Sequence, residues 1–274
     1  MTINCKGSLI DLNQPKVMGI LNITPNSFFD GGKYGDENAI LHQVEKMLNE
    51  GATFIDVGAY SSKPNAEYVS EEEEIRRLIP IINILVDEFP KIILSIDTFR
   101  SRVASKAIEA GAAIINDISA GNLDAAMMTT VAKLNVPYIM MHMKGTPKTM
   151  QSLTHYDAIL KEMLVYFAQK LKEARSLGIN DIIVDPGYGF AKTTEQNFEV
   201  LQKSELFQML DVPILAGLSR KSMIYKTLQT DAQEALNGTT VLNALALTKG
   251  ANILRVHDVK EAMETIALFE AFQK

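Results

Sequence analysis

Short apolar runs alternate with longer amphipathic stretches along nearly the whole chain, and the runs centre near Met18, Ile55, Ile93, Ile114, Ile139, Ile183, Leu215 and Leu254. They are β-branched with little polar alternation, as expected of parallel strands covered on both faces. Between them, apolar residues return at helical spacing. Ile40, Leu41, Val44, Met47 and Leu48 make one such stripe, with Asp36 placed to cap its start and Gly51 to stop it. Ser70 with Glu73 predicts a capping box, followed by a helix to about Phe89 that bends at Pro80 and ends before Pro90. The acidic run Glu71 to Glu74 then reads as a first turn favoured by the helix dipole, with no functional role. Further helices are predicted over 101–110, 123–134, 156–177, 194–210, 232–248 and 258–272, with Gly111, Gly178 and Gly250 just past three of them, and another starts at Ser219 to Ser222. In the last, Val259, Ala262, Met263, Ile266 and Phe269 form the inward stripe.

Eight strand-helix repeats favour a closed (β/α)8 TIM barrel, in the α/β class, over an open doubly wound sheet. Right-handed crossovers place the C-terminal end of every strand on one face, so any site built from strand ends lies there. No linker or change of composition divides residues 1–274, and one domain is expected.

Polar residues stand where the runs stop: Asn22, Asp56, Asp97, Asn116, His142, Asp185, Ser219 with Lys221, and Arg255 with His257. Carboxylates and amides together suit a planar heterocycle carrying ring N–H and amino donors. Asp56 or Asn116 taken singly reads equally well as a turn cap; the whole set points to one binding site. Ser219 to Ser222 opens a helix whose free N–H groups, with Lys221, could receive an anion or a carbonyl oxygen. Arg255 and His257 alternate across a strand end, which sends both to the pocket mouth and Val256 away from it. His142 reads as a structural histidine, and His42 and His155 as surface residues. The segments 24–32 and 60–64 have the composition of loops that close over a substrate.

A net charge of -6 on 274 residues argues against nucleic acid or an anionic membrane as the main partner. Cys5 is the one cysteine, which excludes an internal disulfide and fits a reducing cytosol. No apolar leader or membrane-length stretch is present in the sequence, so a cytoplasmic protein is expected. Gly187 and Gly189 make no dinucleotide fingerprint, and neither a Walker lysine motif nor zinc-ligand spacing occurs.

Several ordered motifs together resemble the dihydropteroate synthase family nearly end to end: Met18 to Pro25, Ser95 to Arg100, Ile115-Asn116-Asp117, Met141-His142-Met143, Asp185-Pro186-Gly187, Ser219 to Ser222 and Arg255-Val256-His257. The resemblance implies a barrel, a homodimer, and a sulfonamide-target enzyme that joins a pterin methyl diphosphate to p-aminobenzoate. It implies that Asp97, Asn116, Asp185 and Lys221 grip the pterin edge while Arg255 stacks on its face. Asn22 would hold Mg²⁺ at the diphosphate, assisted by His257 and Arg255. Phe28, Ser62, Lys63, Pro64, Phe190 and Ser219 would line the second-substrate region. Asp97, Lys221 and Arg255 are the catalytic candidates. Two departures are visible. Lys63 stands where the family commonly has arginine, keeping the charge but losing the bidentate fork, and Asn26 stands where aspartate is usual. A pterin-binding methyltransferase and a non-catalytic pterin-binding protein are the alternatives to test.

Overall fold

A computed structural model of the chain describes residues 1–23, 33–60 and 69–274. Eight parallel strands form one sheet: β3 (Lys16–Asn22), β4 (Phe54–Gly58), β5 (Leu94–Asp97), β6 (Ile114–Asp117), β7 (Tyr138–Met141), β8 (Ile182–Asp185), β9 (Leu215–Ala216) and β10 (Ile253–Val256). Their spatial order follows the chain from β3 to β8, with β10 beside β3 on the other flank and β9 outside it. The ring closes where Val184 bridges Ile214 in parallel and its N–H donates to the Pro213 carbonyl at 3.0 Å. The predicted barrel is therefore present, with its C-terminal strand ends on one rim.

Helices α1 (Lys33–Asn49), α2 (Glu71–Glu88), α3 (Ser101–Glu109), α4 (Met127–Leu134), α5 (Ile159–Ser176), α6 (Thr194–Gln202), α7 (Ser222–Leu228), α8 (Leu236–Thr248) and α9 (Val259–Gln273) follow the strands. Several helix starts or caps differ from the pattern-based reading, with α4 beginning at Met127 rather than 123 and α8 at Leu236 rather than 232. Helix α1 begins at Lys33, so Asp36 falls within the helix rather than at its start. Ser70 does accept the Glu73 N–H, but the Glu73 carboxylate turns to Arg76 and Arg77, leaving half a capping box. Helix α5 starts at Ile159 rather than 156, because Glu162 accepts the N–H groups of Asp157 and Ala158 and caps the helix from within. The 194–210 helix is also interrupted: α6 ends at Gln202 and a tighter 3-10 segment runs over Ser204–Leu210.

A two-stranded antiparallel hairpin precedes the barrel, β1 (Thr2–Cys5) and β2 (Ser8–Asp11). Its Ile3 and Cys5, with Leu12, are buried against Met18, Phe54, Ile114, Ile139, Ile183, Leu215 and Ile253. Each of those barrel residues comes from the first half of its strand, so the hairpin seals the barrel's N-terminal end. Burial raises the Cys5 thiol to about 12, which keeps it protonated and unreactive.

Strand parity then positions the site. Successive side chains point to opposite faces, so the residue two beyond each plug residue also points inward. Phe54, Ile114, Ile183 and Ile253 fill the barrel's lower layer; two positions on stand Asp56, Asn116, Asp185 and Arg255. The intervening Ile55, Ile115, Val184 and Leu254 face the helices in the outer core. The barrel interior thus changes from apolar to ionic within a single inward layer.

Candidate active site

Arg255 is the centre of the inward polar layer. Its Nε donates to Asp56 Oδ2 at 2.6 Å, and its Nη2 donates to Asp97 Oδ2 at 2.9 Å. Asn116, which is registered against Asp97 across the β5–β6 pair, donates its amide N–H to Asp56 Oδ2 at 3.0 Å. That bond turns the Asn116 carbonyl oxygen away from Asp56. Asp56 is wholly buried, and its Oδ1 has no hydrogen-bond partner among the described residues. The turn-cap reading of Asp56 and Asn116 gives way to one in which Asp56 holds both Arg255 and Asn116 in place.

Asp97 keeps 22% of its side chain exposed, beside this buried pair. Burial lifts its pKa to about 7 against the pull of Arg255, with the Asp56 charge adding to the rise. Burial disfavours the Arg255 cation, yet the charges of Asp56 and Asp97 outweigh that loss and raise its pKa. Close approach here requires a bare backbone: a Cβ at Gly58 would stand 3.3 Å from Asp97 Cβ.

Asp185 ends β8, and its Oδ1 accepts the Gly187 N–H at 2.7 Å. Burial raises its pKa, while that N–H, Lys221 and Arg255 act in the opposite direction. Gly217, two positions beyond the plug residue Leu215, lies beside this carboxylate: a Cβ there would stand 3.9 Å from Asp185 Oδ2, in ordinary contact. Lys221 sits in the cap position of α7 with its Nζ 4.5 Å from the centre of the Phe190 ring. The neighbouring Arg220 faces elsewhere. Its guanidinium grips both oxygens of Asp258 and the carbonyls of Ala232 and Gln233, which ties the 217–221 segment to the start of α9.

Ser219 accepts the His257 backbone N–H at 3.2 Å and lies 2.9 Å from His257 Nδ1. The hydroxyl has one donor and two acceptor sites, so it can meet either tautomer of the ring at Nδ1. Desolvation and the nearby Arg255 charge push the His257 pKa down to about 4, in keeping with a neutral ring. Val256, between Arg255 and His257, is buried in the outer core. Asn22 lies exposed at the end of β3.

Asp97, Asn116, Asp185, Lys221 and Arg255 converge on one rim, as do Phe190, Ser219 and His257. Phe28, Ser62, Lys63 and Pro64, with Asn26, lie outside the described residues. His142 is buried, and His42 and His155 are exposed with side chains at 84% and 92%. Two features near the rim escape the sequence reading. Glu74, placed in the acidic first turn of α2, is buried and forms an ion pair with Arg100, which also donates to the Val69 carbonyl. Lys192 is buried beside His142. Neither position carries a spacing signal that separates it from a solvated charge.

The arrangement offers acceptors and donors for the edge of a flat heterocycle, cations for an anionic leaving group, and two carboxylates of raised pKa, Asp97 and Asp185. A family model described as "Pterin binding enzyme" matches residues 18–257. The chain is 39% identical over 277 residues to the dihydropteroate synthase of Escherichia coli K12, covering 99% of this chain and 96% of that one. The Yersinia pestis dihydropteroate synthase solved with a sulfonamide drug superposes with a TM-score of 0.93 at 37% identity, over 100% of this chain and 99% of the other. The Xanthomonas albilineans dihydropteroate synthase solved with 4-aminobenzoic acid gives 0.91 at 36% identity, covering 99% and 98%.

Proposed function

The chain belongs to the pterin-binding enzyme family, and we infer from that membership and the rim geometry that it works as a dihydropteroate synthase, a transferase of folate biosynthesis. It joins 6-hydroxymethyl-7,8-dihydropterin diphosphate to p-aminobenzoate, giving 7,8-dihydropteroate and diphosphate. The observation that carries this reading is the ionic layer Asp56–Arg255–Asp97 with Asn116, set on an apolar plug and flanked by Asp185 and Lys221.

Asp185 and Asn116 accept and donate along the pterin edge, with Lys221 at a ring carbonyl and Arg255 against the ring face. The bond between the exocyclic methylene and the diphosphate oxygen breaks, and its electron pair leaves with the diphosphate. The electron-rich pterin spreads the positive charge left on the methylene, and the Asp97 carboxylate stabilises it electrostatically. The lone pair of the neutral arylamine forms the new C–N bond, and the amine proton passes to solvent. No strong general base is required. The His257 ring and Arg255 supply donors for the leaving group. Phe190 and Ser219, with Phe28, Ser62, Lys63 and Pro64, belong to the p-aminobenzoate side.

Among the described residues no three His, Cys, Asp or Glu side chains gather as a metal cage. The exposed Asn22 offers one amide oxygen, which fits a Mg²⁺ ion that takes most of its ligands from diphosphate and water. Bound there, Mg²⁺ would neutralise charge on the departing diphosphate. A homodimer in the cytoplasm completes the proposal. Val241 and Leu245 on α8, and Leu268 and Phe272 on the adjoining α9, are large apolar side chains left exposed on the protomer, and no helix of the described residues is long and apolar enough to cross a membrane.

The test is diphosphate release by the purified chain. Release that needs both the pterin diphosphate and p-aminobenzoate supports the reading. Methyl transfer from methyltetrahydrofolate to a corrinoid protein, without such release, would replace it with the methyltransferase alternative, and pterin binding with neither reaction would leave a non-catalytic binder.

A further inference from the structure

Lys192 is a buried cation that the reaction above does not use. It is 5% exposed, and its Nζ lies 2.9 Å from the Gly187 carbonyl oxygen, 3.0 Å from that of Phe190 and 3.2 Å from His142 Nδ1. An ammonium has three N–H donors, and these three acceptors match them one for one. His142 must then offer a bare Nδ1. Burial and the adjacent lysine charge push its pKa far down, which keeps the ring neutral. Burial also draws Lys192 down to about 7, while the nearby Asp185 charge opposes that fall.

The two carbonyls are the ends of one turn. Phe190 N–H donates to the Gly187 carbonyl at 3.1 Å, so Lys192 clamps the turn at the same oxygen that closes it. The turn touches the pterin-side groups at two points: Gly187 N–H holds Asp185 Oδ1, and the Phe190 ring lies under the Lys221 ammonium. Without the clamp, two buried carbonyls lose a charge-assisted partner and the turn loses the bonds that fix both ends.

We propose that Lys192 is a positioning residue for pterin capture, which sets Asp185 and Lys221 by clamping the 187–190 turn from beneath without touching the substrate. This rests on the assignment of Asp185 to the pterin.

Calorimetric titration with the dihydropterin diphosphate tests it on Lys192→Met, Asp185→Asn and the double variant, each checked for a cooperative unfolding transition. The expected result is a Kd at least 10-fold weaker for Lys192→Met. The double variant should lose less than the product of the two single losses, because both act through one turn. A merely structural lysine would give independent, multiplicative losses, and that outcome, or wild-type affinity in folded Lys192→Met, would overturn the proposal. If Lys192→Met does not fold, Lys192→Arg takes its place in the cycle. Its planar fork cannot reach all three acceptors, so a 3-fold or greater weakening, again less than multiplicative with Asp185→Asn, is expected; wild-type affinity there overturns the proposal. If Asp185→Asn alone binds as tightly as wild type, the assignment of Asp185 fails, whatever the lysine variants show.

Discussion

Arg255 and Asp97 meet across the barrel mouth, Nη2 to Oδ2 at 2.9 Å, although β3 and β4 lie between their strands. The same guanidinium bonds the fully buried Asp56. Removing it would leave two carboxylates facing each other with no cation. Breaking a buried pair by deleting one partner costs about 3–5 kcal/mol, and partial exposure of Arg255 places this case near the lower end. Arg255→Ala is therefore expected to lower the urea midpoint by about 3 kcal/mol of stability as well as abolish turnover. Arg255→Lys should recover more of the stability than of the activity, since lysine keeps the charge without the fork.

The raised pKa of Asp97 makes a pH prediction with a definite sign. Its carboxylate, the form that stabilises a cation, accumulates as pH rises through about 7, so kcat/KM should climb over that range on its acid limb. Stability runs the other way. A carboxyl whose pKa is higher folded than unfolded adds stability that is full below about 4, the ordinary aspartate range, and lost as pH rises through about 7. The ligand-free protein should therefore melt higher at pH 6 than at pH 8. Asp97→Asn should flatten both profiles, and an unchanged acid limb in an Asp97→Asn variant that retains residual activity would assign the titration elsewhere.

Glu74 and Glu72 stand two apart in the same acidic run but in different surroundings. Glu74 is 1% exposed and paired with Arg100, whereas Glu72 is 73% exposed beside Arg102. Glu74→Ala removes the paired carboxylate from a buried guanidinium and should cost about 3–5 kcal/mol in chemical denaturation. Glu72→Ala should leave the denaturation midpoint unchanged. Equal effects would mean that burial does not separate the two.

Gly187 has a φ of +68°, and a Cβ there would lie 2.3 Å from the His142 carbonyl oxygen. Alanine is thus disfavoured by backbone conformation and by contact with a main-chain atom that cannot swing aside. Gly187→Ala should destabilise by more than about 1 kcal/mol and weaken pterin binding together, because this residue's N–H holds Asp185. A variant of normal melting temperature and normal pterin affinity would contradict the placement of the turn.

The strand centres and the one-sided rim were legible because parallel strands advertise themselves as short β-branched runs. The change from plug to site inside the barrel was not, since outward Ile55, Ile115, Val184 and Leu254 mask the inward pairs Phe54–Asp56, Ile114–Asn116, Ile183–Asp185 and Ile253–Arg255. Reading every second residue would have exposed it. The hairpin at the start was overlooked because its strands have four residues each, yet Lys6-Gly7, both at positive φ, is the two-residue turn such a hairpin needs. Burial of Glu74 and Lys192 had no local signal at all. Each is a charge in a polar stretch, and only the tertiary arrival of Arg100 or of His142 separates it from a solvated one.

Titration of 6-hydroxymethyl-7,8-dihydropterin diphosphate into Asp185→Asn tests most directly whether the rim captures a pterin. The account predicts a Kd weakened by about 100-fold in a variant that remains folded, because the amide cannot replace a carboxylate that accepts charge-assisted hydrogen bonds, worth about 1.5–3 kcal/mol, from the ring edge. Wild-type affinity in that variant would contradict it.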